Sequence, residues 1–170
     1  MLVSANDLLT KAEKAPDNSA VLPFVQFWKG EIAYRLNRLD EAIQYYFEYL
    51  KSSAVNGEVN PLNAKYNLGY CFLKRENYKQ AQNFFEQIVT NPKINASPIE
   101  QDAYVRTADC YYMSRDYKKA LAMYDKVLDY SWASGDYATF QKAMVTGVNN
   151  SKEKITLLNS IGRKYPQSSL

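Results

Sequence analysis

Histidine is absent from this 170-residue chain. Its absence excludes Ser-His-Asp and Cys-His nucleophile systems, the HExxH zinc site and any metal site built on imidazole. Cysteine occurs twice, at Cys71 and Cys110, too few for the disulfide framework of a small secreted domain. Both cysteines sit in apolar runs (Gly-Tyr-Cys-Phe-Leu and Asp-Cys-Tyr-Tyr-Met), where a thiol behaves as a small buried hydrophobe. Glycine and proline number six each, which argues against a loop-rich all-β fold. No apolar run approaches the ~18 residues of a membrane span. The opening Met-Leu-Val-Ser-Ala-Asn-Asp has no basic region leading into an apolar core, so no signal peptide is expected. The chain as written reads as cytoplasmic, with a periplasmic or envelope location if it belongs to a longer exported protein. The net charge of +3 is too small to point to nucleic acid or to an anionic membrane. What the chain has in excess is aromatic: 15 Tyr, 7 Phe and 2 Trp.

Those aromatics recur at a fixed period. Ala42, Ala81 and Ala120 are evenly spaced, and the same offset relates Leu39, Tyr78 and Tyr117, then Tyr46, Phe85 and Tyr124, then Leu50, Val89 and Leu128. Gly30, Gly69 and Ala108 form a fifth column upstream. A weaker fourth copy follows around Ser151–Leu158, with Lys154 in the alanine column and Ala143 as the small residue before it. Within a unit the spacing is helical: Tyr78, Ala81, Phe85, Ile88 and Val89 share one face. Pro23, Pro61 and Pro98 mark helix starts, Pro92 and Pro166 follow helix ends, and Asp136 reads as an N-cap. The pattern predicts a leading helix over 4–15, opened by a Ser4–Asp7 capping box. Helix pairs are predicted at 22–37 with 39–53, 61–75 with 78–91, 98–114 with 117–131, and 136–148 with 151–165. A single pair cannot bury its apolar face alone, so the units are expected to stack as one repeat domain over 1–170, with repeats at 22–53, 61–91, 98–131 and 136–166. Tyr46, Phe85, Tyr124, Tyr78 and Tyr117 are all expected in the core.

Leu68-Gly69-x-x-Phe72, Ala81-x-x-x-Phe85 and Pro92 together resemble the tetratricopeptide repeat (TPR). The third unit matches with Tyr104, Ala108, Tyr111, Ala120 and Tyr124. The first matches with Gly30, Ala42 and Tyr46, with Ala33 in place of an aromatic, and the fourth is degenerate. The resemblance implies an all-α, right-handed α-solenoid of helix-turn-helix repeats, about nine helices in all. It also implies a non-catalytic protein–protein interaction module, whose first helices line a groove for a peptide or protein segment. By matched position the groove residues are Phe27, Glu31 and Tyr34 in the first unit, Tyr66, Asn67, Tyr70 and Lys74 in the second, and Arg106, Asp109 and Tyr112 in the third. No catalytic residue, metal or cofactor is expected. The partner is a protein or peptide, with self-association as the alternative, and neither nucleic acid nor membrane insertion is expected.

Some members of the family clamp the terminal carboxylate of a chaperone tail with lysines, asparagines and an arginine or lysine. Only Asn67 and Arg106 survive at those positions; Phe27, Glu31 and Asp102 hold the others, and two acids beside a carboxylate oppose such a ligand. The ending Arg163-Lys-Tyr-Pro-Gln-Ser resembles helix closings of bacterial envelope proteins built from these repeats. A structural spacer segment of a larger envelope or assembly protein, or a small-ligand sensor, are therefore the rival readings.

Overall fold

A computed structural model of the protein describes residues 2–17, 19–52, 54–89 and 91–170. Among the described residues it contains helices α1 (Leu2–Glu13), α2 (Leu22–Arg35), α3 (Leu39–Leu50), α4 (Pro61–Lys74), α5 (Tyr78–Glu86), α6 (Pro98–Met113), α7 (Tyr117–Asp129), α8 (Gly135–Thr146) and α9 (Ser151–Lys164). The one β feature among them is an isolated bridge between Asn56 and Val59 in the long α3–α4 turn.

Local chemistry accounts for most helix boundaries. Pro61 and Pro98 open α4 and α6, and Pro23 is the second residue of α2, positions where a missing N–H costs little. Asn60 accepts the Asn63 N–H at 2.9 Å, and Asn150 accepts that of Glu153 at 3.1 Å. Ser97 and Glu100 form a reciprocal capping box on α6, with the Ser97 N–H donating to the Glu100 carboxylate at 2.7 Å. The helix ends carry a periodicity that the sequence reading overlooked. Asn37, Glu76 and Arg115, spaced as the alanine columns are, adopt left-handed backbone with φ of 58°, 57° and 63°. Beside them the N–H groups of Arg38, Asn77 and Asp116 reach back to the carbonyls of Ala33, Phe72 and Tyr111 at 2.8 to 2.9 Å. This is the Schellman closure, made here without glycine, and each residue meets a left-handed penalty of about 1 kcal/mol.

Several expectations need correction. Ser4 lies inside α1, so Ser4–Asp7 is not a cap at its start. Asp136 is not the N-cap of α8: Ser134 holds that position, and the Asp136 carboxylate instead accepts the Tyr137 N–H and the Ser168 hydroxyl, both at 2.7 Å. Helix α5 stops at Glu86 rather than near 91, where the N–H groups of Ile88 and Val89 both turn onto the Phe85 carbonyl. Residues 53 and 90, within predicted helices, lie outside the described residues. Tyr117, expected in the core, is 40% exposed, and Tyr78 is only half-buried. Each is the first residue of its helix, before the turn that the next helix covers.

The chain divides into two compact units, Met1–Phe84 and Phe85–Leu170. In the first, α2 packs on α1, α3 and α4, and α3 packs on α4. Its core gathers Phe27, Ala33, Ala42, Tyr46, Tyr49, Leu68, Cys71 and Phe84. Phe27 meets Tyr46 and Tyr49 edge-on at 5.7 and 5.3 Å, and Phe84 stacks on Phe72 at 5.6 Å. Gly30 is required by the Tyr46 ring, because a Cβ there would lie 2.9 Å from its Cε1. In the second unit α6 packs on α7, α7 on α8 and α8 on α9. Tyr104, Val105, Ala108, Ala120, Tyr124, Val127, Trp132 and Ala138 form its core. Trp132 sits edge-on to Tyr104 at 5.5 Å and donates its indole N–H to the Ile94 carbonyl at 3.0 Å. Ala42, Ala81, Ala120 and Ala143 are all fully buried, as close packing between helices requires of a small-residue column. Each fully buried Tyr or Phe contributes on the order of 2–3 kcal/mol of apolar transfer, the main return for ordering these helices.

Candidate functional site

The predicted groove residues separate into two physical groups. Phe27 and Asp109 are buried, at 3% and 9% exposure, and do not lie on an accessible face as expected. Phe27 belongs to the aromatic core of the first unit. Asp109 sits at the centre of a buried network. It accepts the Tyr124 hydroxyl at 2.7 Å, the Tyr137 hydroxyl at 3.1 Å and an Arg106 guanidinium N–H at 2.6 Å. Arg106 also reaches Asp102 at 3.3 Å and lies over the Tyr137 ring at 5.1 Å, while Gln141 donates to the Tyr137 hydroxyl at 2.7 Å. Burial pushes the Asp109 carboxyl above the usual carboxylate range, against the opposing pull of Arg106 and the two hydroxyls. Burial first, and the neighbouring carboxylate second, push Tyr124 far above the ordinary tyrosine value.

The first unit repeats this construction. Tyr46 is fully buried and donates its hydroxyl to Glu31 at 3.1 Å. Asn67 donates to the Tyr46 oxygen at 3.0 Å and to Glu31 at 3.3 Å, and Arg35 holds the other Glu31 oxygen at 2.9 Å. Desolvation and the adjacent Glu31 carboxylate raise Tyr46 as they raise Tyr124. Glu31 and Asp109 occupy equivalent positions, and each precedes its tyrosine by 15 residues. In the repeat between them the equivalent position holds Tyr70, and Phe85 stands where the buried tyrosine would be. The acid is thus present where the core position carries a hydroxyl and absent where it does not. That correlation was readable in the sequence as a Gly-Glu or Ala-Asp pair followed by Tyr. It assigns Glu31, Asn67 and Asp109 to satisfying a buried phenol.

The second group is accessible and chemically mixed. Tyr66 and Tyr70 are half-buried on α4 with ring centroids 5.0 Å apart, edge to face. Lys74 is exposed, with its Nζ 4.1 Å from the centroid of the Tyr34 ring on α2. In the second unit the half-buried Tyr112 meets the exposed Tyr117 at 5.8 Å. The sequence reading missed Trp28 and Leu8, 39% and 66% exposed, which flank an apolar cleft between α1 and α2.

The cysteines offer no nucleophile. Both are free and buried, and desolvation raises each thiol to about 12, so neither forms a thiolate near neutral pH. No group of three or more Cys, Asp or Glu side chains able to hold a metal is found among the described residues, and no helix among them is long and apolar enough to cross a membrane.

The tetratricopeptide repeat family model matches residues 5–57 and 66–136, more than half of the chain. The chain belongs to this family. Structural relatives agree on an all-α solenoid of TPR-like repeats. YrrB, described as a TPR protein with an unusual peptide-binding site, is 18% identical, with a TM-score of 0.72 over 98% of this chain and 82% of that one. A putative kinesin light chain of Podosopora anserina with nearly identical TPR-like repeats is 15% identical, with a TM-score of 0.73 over 98% and 89%. The apo form of RapI is 16% identical, with a TM-score of 0.73 over 96% and 64%. No curated protein matches the chain significantly. Members of the family are in general non-catalytic scaffolds that bind protein or peptide partners.

Proposed function

We propose that this TPR chain is a non-catalytic docking module that takes a peptide or protein segment on the accessible faces of its first helices. The observation that carries this reading is the surface formed by α2 and α4. Tyr66, Tyr70, Tyr34 and Lys74 there combine rigid rings with a cation. Rings of this kind bind at low entropic cost, and lysine over tyrosine leaves a positive edge for an acidic or carbonyl-rich segment. The peptide-binding site ascribed to YrrB, on a similar fold, is consistent with it. The repeat domain is taken to span the whole chain.

A triple variant, Tyr66→Ala, Tyr70→Ala and Lys74→Ala, tests the reading. Fluorescence-anisotropy affinities of peptides selected on the wild-type protein are expected to fall at least about ten-fold, roughly 1.4 kcal/mol, while helicity by circular dichroism is retained. Unchanged affinity would refute it. A spacer role is the second reading, favoured by the internal commitment of Glu31, Asn67 and Asp109. Failure to select any binding peptide would favour the spacer.

A further inference from the structure

The turn between α3 and α4 carries the one Asn-Gly pair of the sequence, Asn56-Gly57. Gly57 has a φ of 57° and Glu58 after it does not share the positive φ, the pattern of a type II′ hairpin turn. Two bonds close the turn: the Asn56 N–H donates to the Val59 carbonyl at 2.9 Å, and the Val59 N–H to the Asn56 carbonyl at 3.0 Å. Both flanks are anchored. The Tyr49 hydroxyl donates to the Ala54 carbonyl at 2.6 Å, and Val59 is buried. The Asn60 and Asn63 side chains donate to the Gly57 and Glu58 carbonyls at 2.9 and 2.7 Å. Between these anchors residues 55–58 are exposed.

Two reactive groups stand unengaged in this frame. Among the described residues, neither the Asn56 side chain nor the Gly57 N–H has a hydrogen-bond partner. A Cβ at Gly57 would meet nothing within 4 Å, so that side of the residue is open to water. Other asparagines are held. The side-chain oxygens of Asn60, Asn77 and Asn150 accept the N–H groups of Asn63, Gln80 and Glu153 at helix starts, and Asn67 donates to Glu31 and Tyr46.

We infer that Asn56-Gly57 is a self-modification site, where Asn56 cyclises onto Gly57 and hydrolyses to aspartyl and isoaspartyl products. The Gly57 amide nitrogen, deprotonated by hydroxide and unshielded by any Cβ, attacks the side-chain carbonyl carbon of Asn56. A new N–C bond closes a succinimide ring. The bond to the side-chain nitrogen breaks, and that nitrogen takes a proton from water and leaves as ammonia. Water then opens the ring, at the side-chain carbonyl to give aspartate or at the backbone carbonyl to give isoaspartate. No electrons change hands. Either product adds a carboxylate two residues before Glu58. The isoaspartyl form also lengthens the backbone by one methylene, which a two-residue turn cannot absorb while keeping both Asn56–Val59 bonds. The anchors at Ala54 and Val59 confine the change to the turn. The site lies at the N-terminal end of α4 and Lys74 at the other, so it is independent of the proposed peptide surface.

The full chain, incubated in mildly alkaline buffer at physiological temperature, is mapped by peptide mass spectrometry under acidic conditions. A mass gain equal to the exchange of NH for O is expected at residue 56 before any other asparagine. Aspartyl and isoaspartyl peptides should both appear, the second identified by its methylation with a protein isoaspartyl methyltransferase. Helicity by circular dichroism should be retained. Gly57→Ala should slow the conversion several-fold, because its Cβ crowds the attacking nitrogen. Asn56→Gln should abolish it over the same interval, because the longer side chain must close a larger ring. No gain at residue 56, an earlier gain at Asn60, Asn77 or Asn150, aspartate without isoaspartate, or a Gly57→Ala rate equal to wild type overturns the inference.

Discussion

Replacing Asp109 with alanine removes the one acceptor shared by three donors. The Tyr124 hydroxyl, 2.7 Å away and fully buried, is left with no partner, at a cost of about 1–3 kcal/mol. Tyr137 keeps the hydrogen bond from Gln141 but loses the acceptor for its own proton. Arg106 retains Asp102 at 3.3 Å, so its charge is not stranded. The lost hydroxyl acceptors therefore dominate, and relief from desolvating the carboxylate offsets part of their cost. A net destabilisation of roughly 2–3 kcal/mol follows for Asp109→Ala. Tyr124→Phe removes the hydroxyl without stranding it and should cost about 1 kcal/mol. In the double variant the stranded donor no longer exists, so a coupling of roughly 1 kcal/mol or more is expected. Urea denaturation of the two single variants and the double variant, at constant slope, supplies all the values. Strict additivity within about 0.3 kcal/mol, or an Asp109→Ala cost below about 0.5 kcal/mol, would refute the assignment of Asp109 to the core network.

Further outcomes follow from the same geometry. Gly30→Ala gains about 1 kcal/mol of helix propensity but drives a Cβ to 2.9 Å from the buried Tyr46 ring; overpacking wins, and a net loss of about 1–2 kcal/mol is expected in urea melts. Stabilisation by that substitution would contradict the close approach. Arg115→Gly and Glu76→Gly relieve left-handed strain, and each should stabilise by about 0.5–1 kcal/mol, whereas Gly in the neighbouring helical turn should destabilise. Asp109 also gives a pH signature. Its folded carboxyl lies above the ordinary 3.8, so its contribution to stability is present below 3.8 and lost as pH rises through the folded value. Wild type minus Asp109→Asn should therefore become more favourable on acidification across that window, and the opposite slope would contradict the burial argument.

The fold was legible because its determinants are local and periodic. The columns at Ala42, Ala81 and Ala120 fix where helices touch, and Pro61, Pro98 and Asn60 fix where they begin. One boundary error arose where a tertiary partner overrode a local signal, Asp136 binding Ser168 instead of capping; another arose from a local turn, with Ile88 and Val89 closing onto the Phe85 carbonyl and ending α5 early. The site was less legible because one helix face carries both packing and exposed residues. Tyr70 and Glu31 occupy equivalent positions, yet Glu31 answers a tyrosine 15 residues away, and only the Gly-Glu…Tyr and Ala-Asp…Tyr correlation reveals it. Leu8 and Trp28 escaped notice because none of the repeating columns that locate the helices passes through either residue.

Selection of a random-peptide library displayed on phage against the immobilised full chain tests the docking role most directly. The enriched sequences are then titrated against wild type and the Tyr66, Tyr70 and Lys74 triple alanine variant. The account predicts convergence on a shared motif, with affinity lost at least about ten-fold in the variant. A library that yields no motif, or a motif that binds both proteins equally, would contradict it.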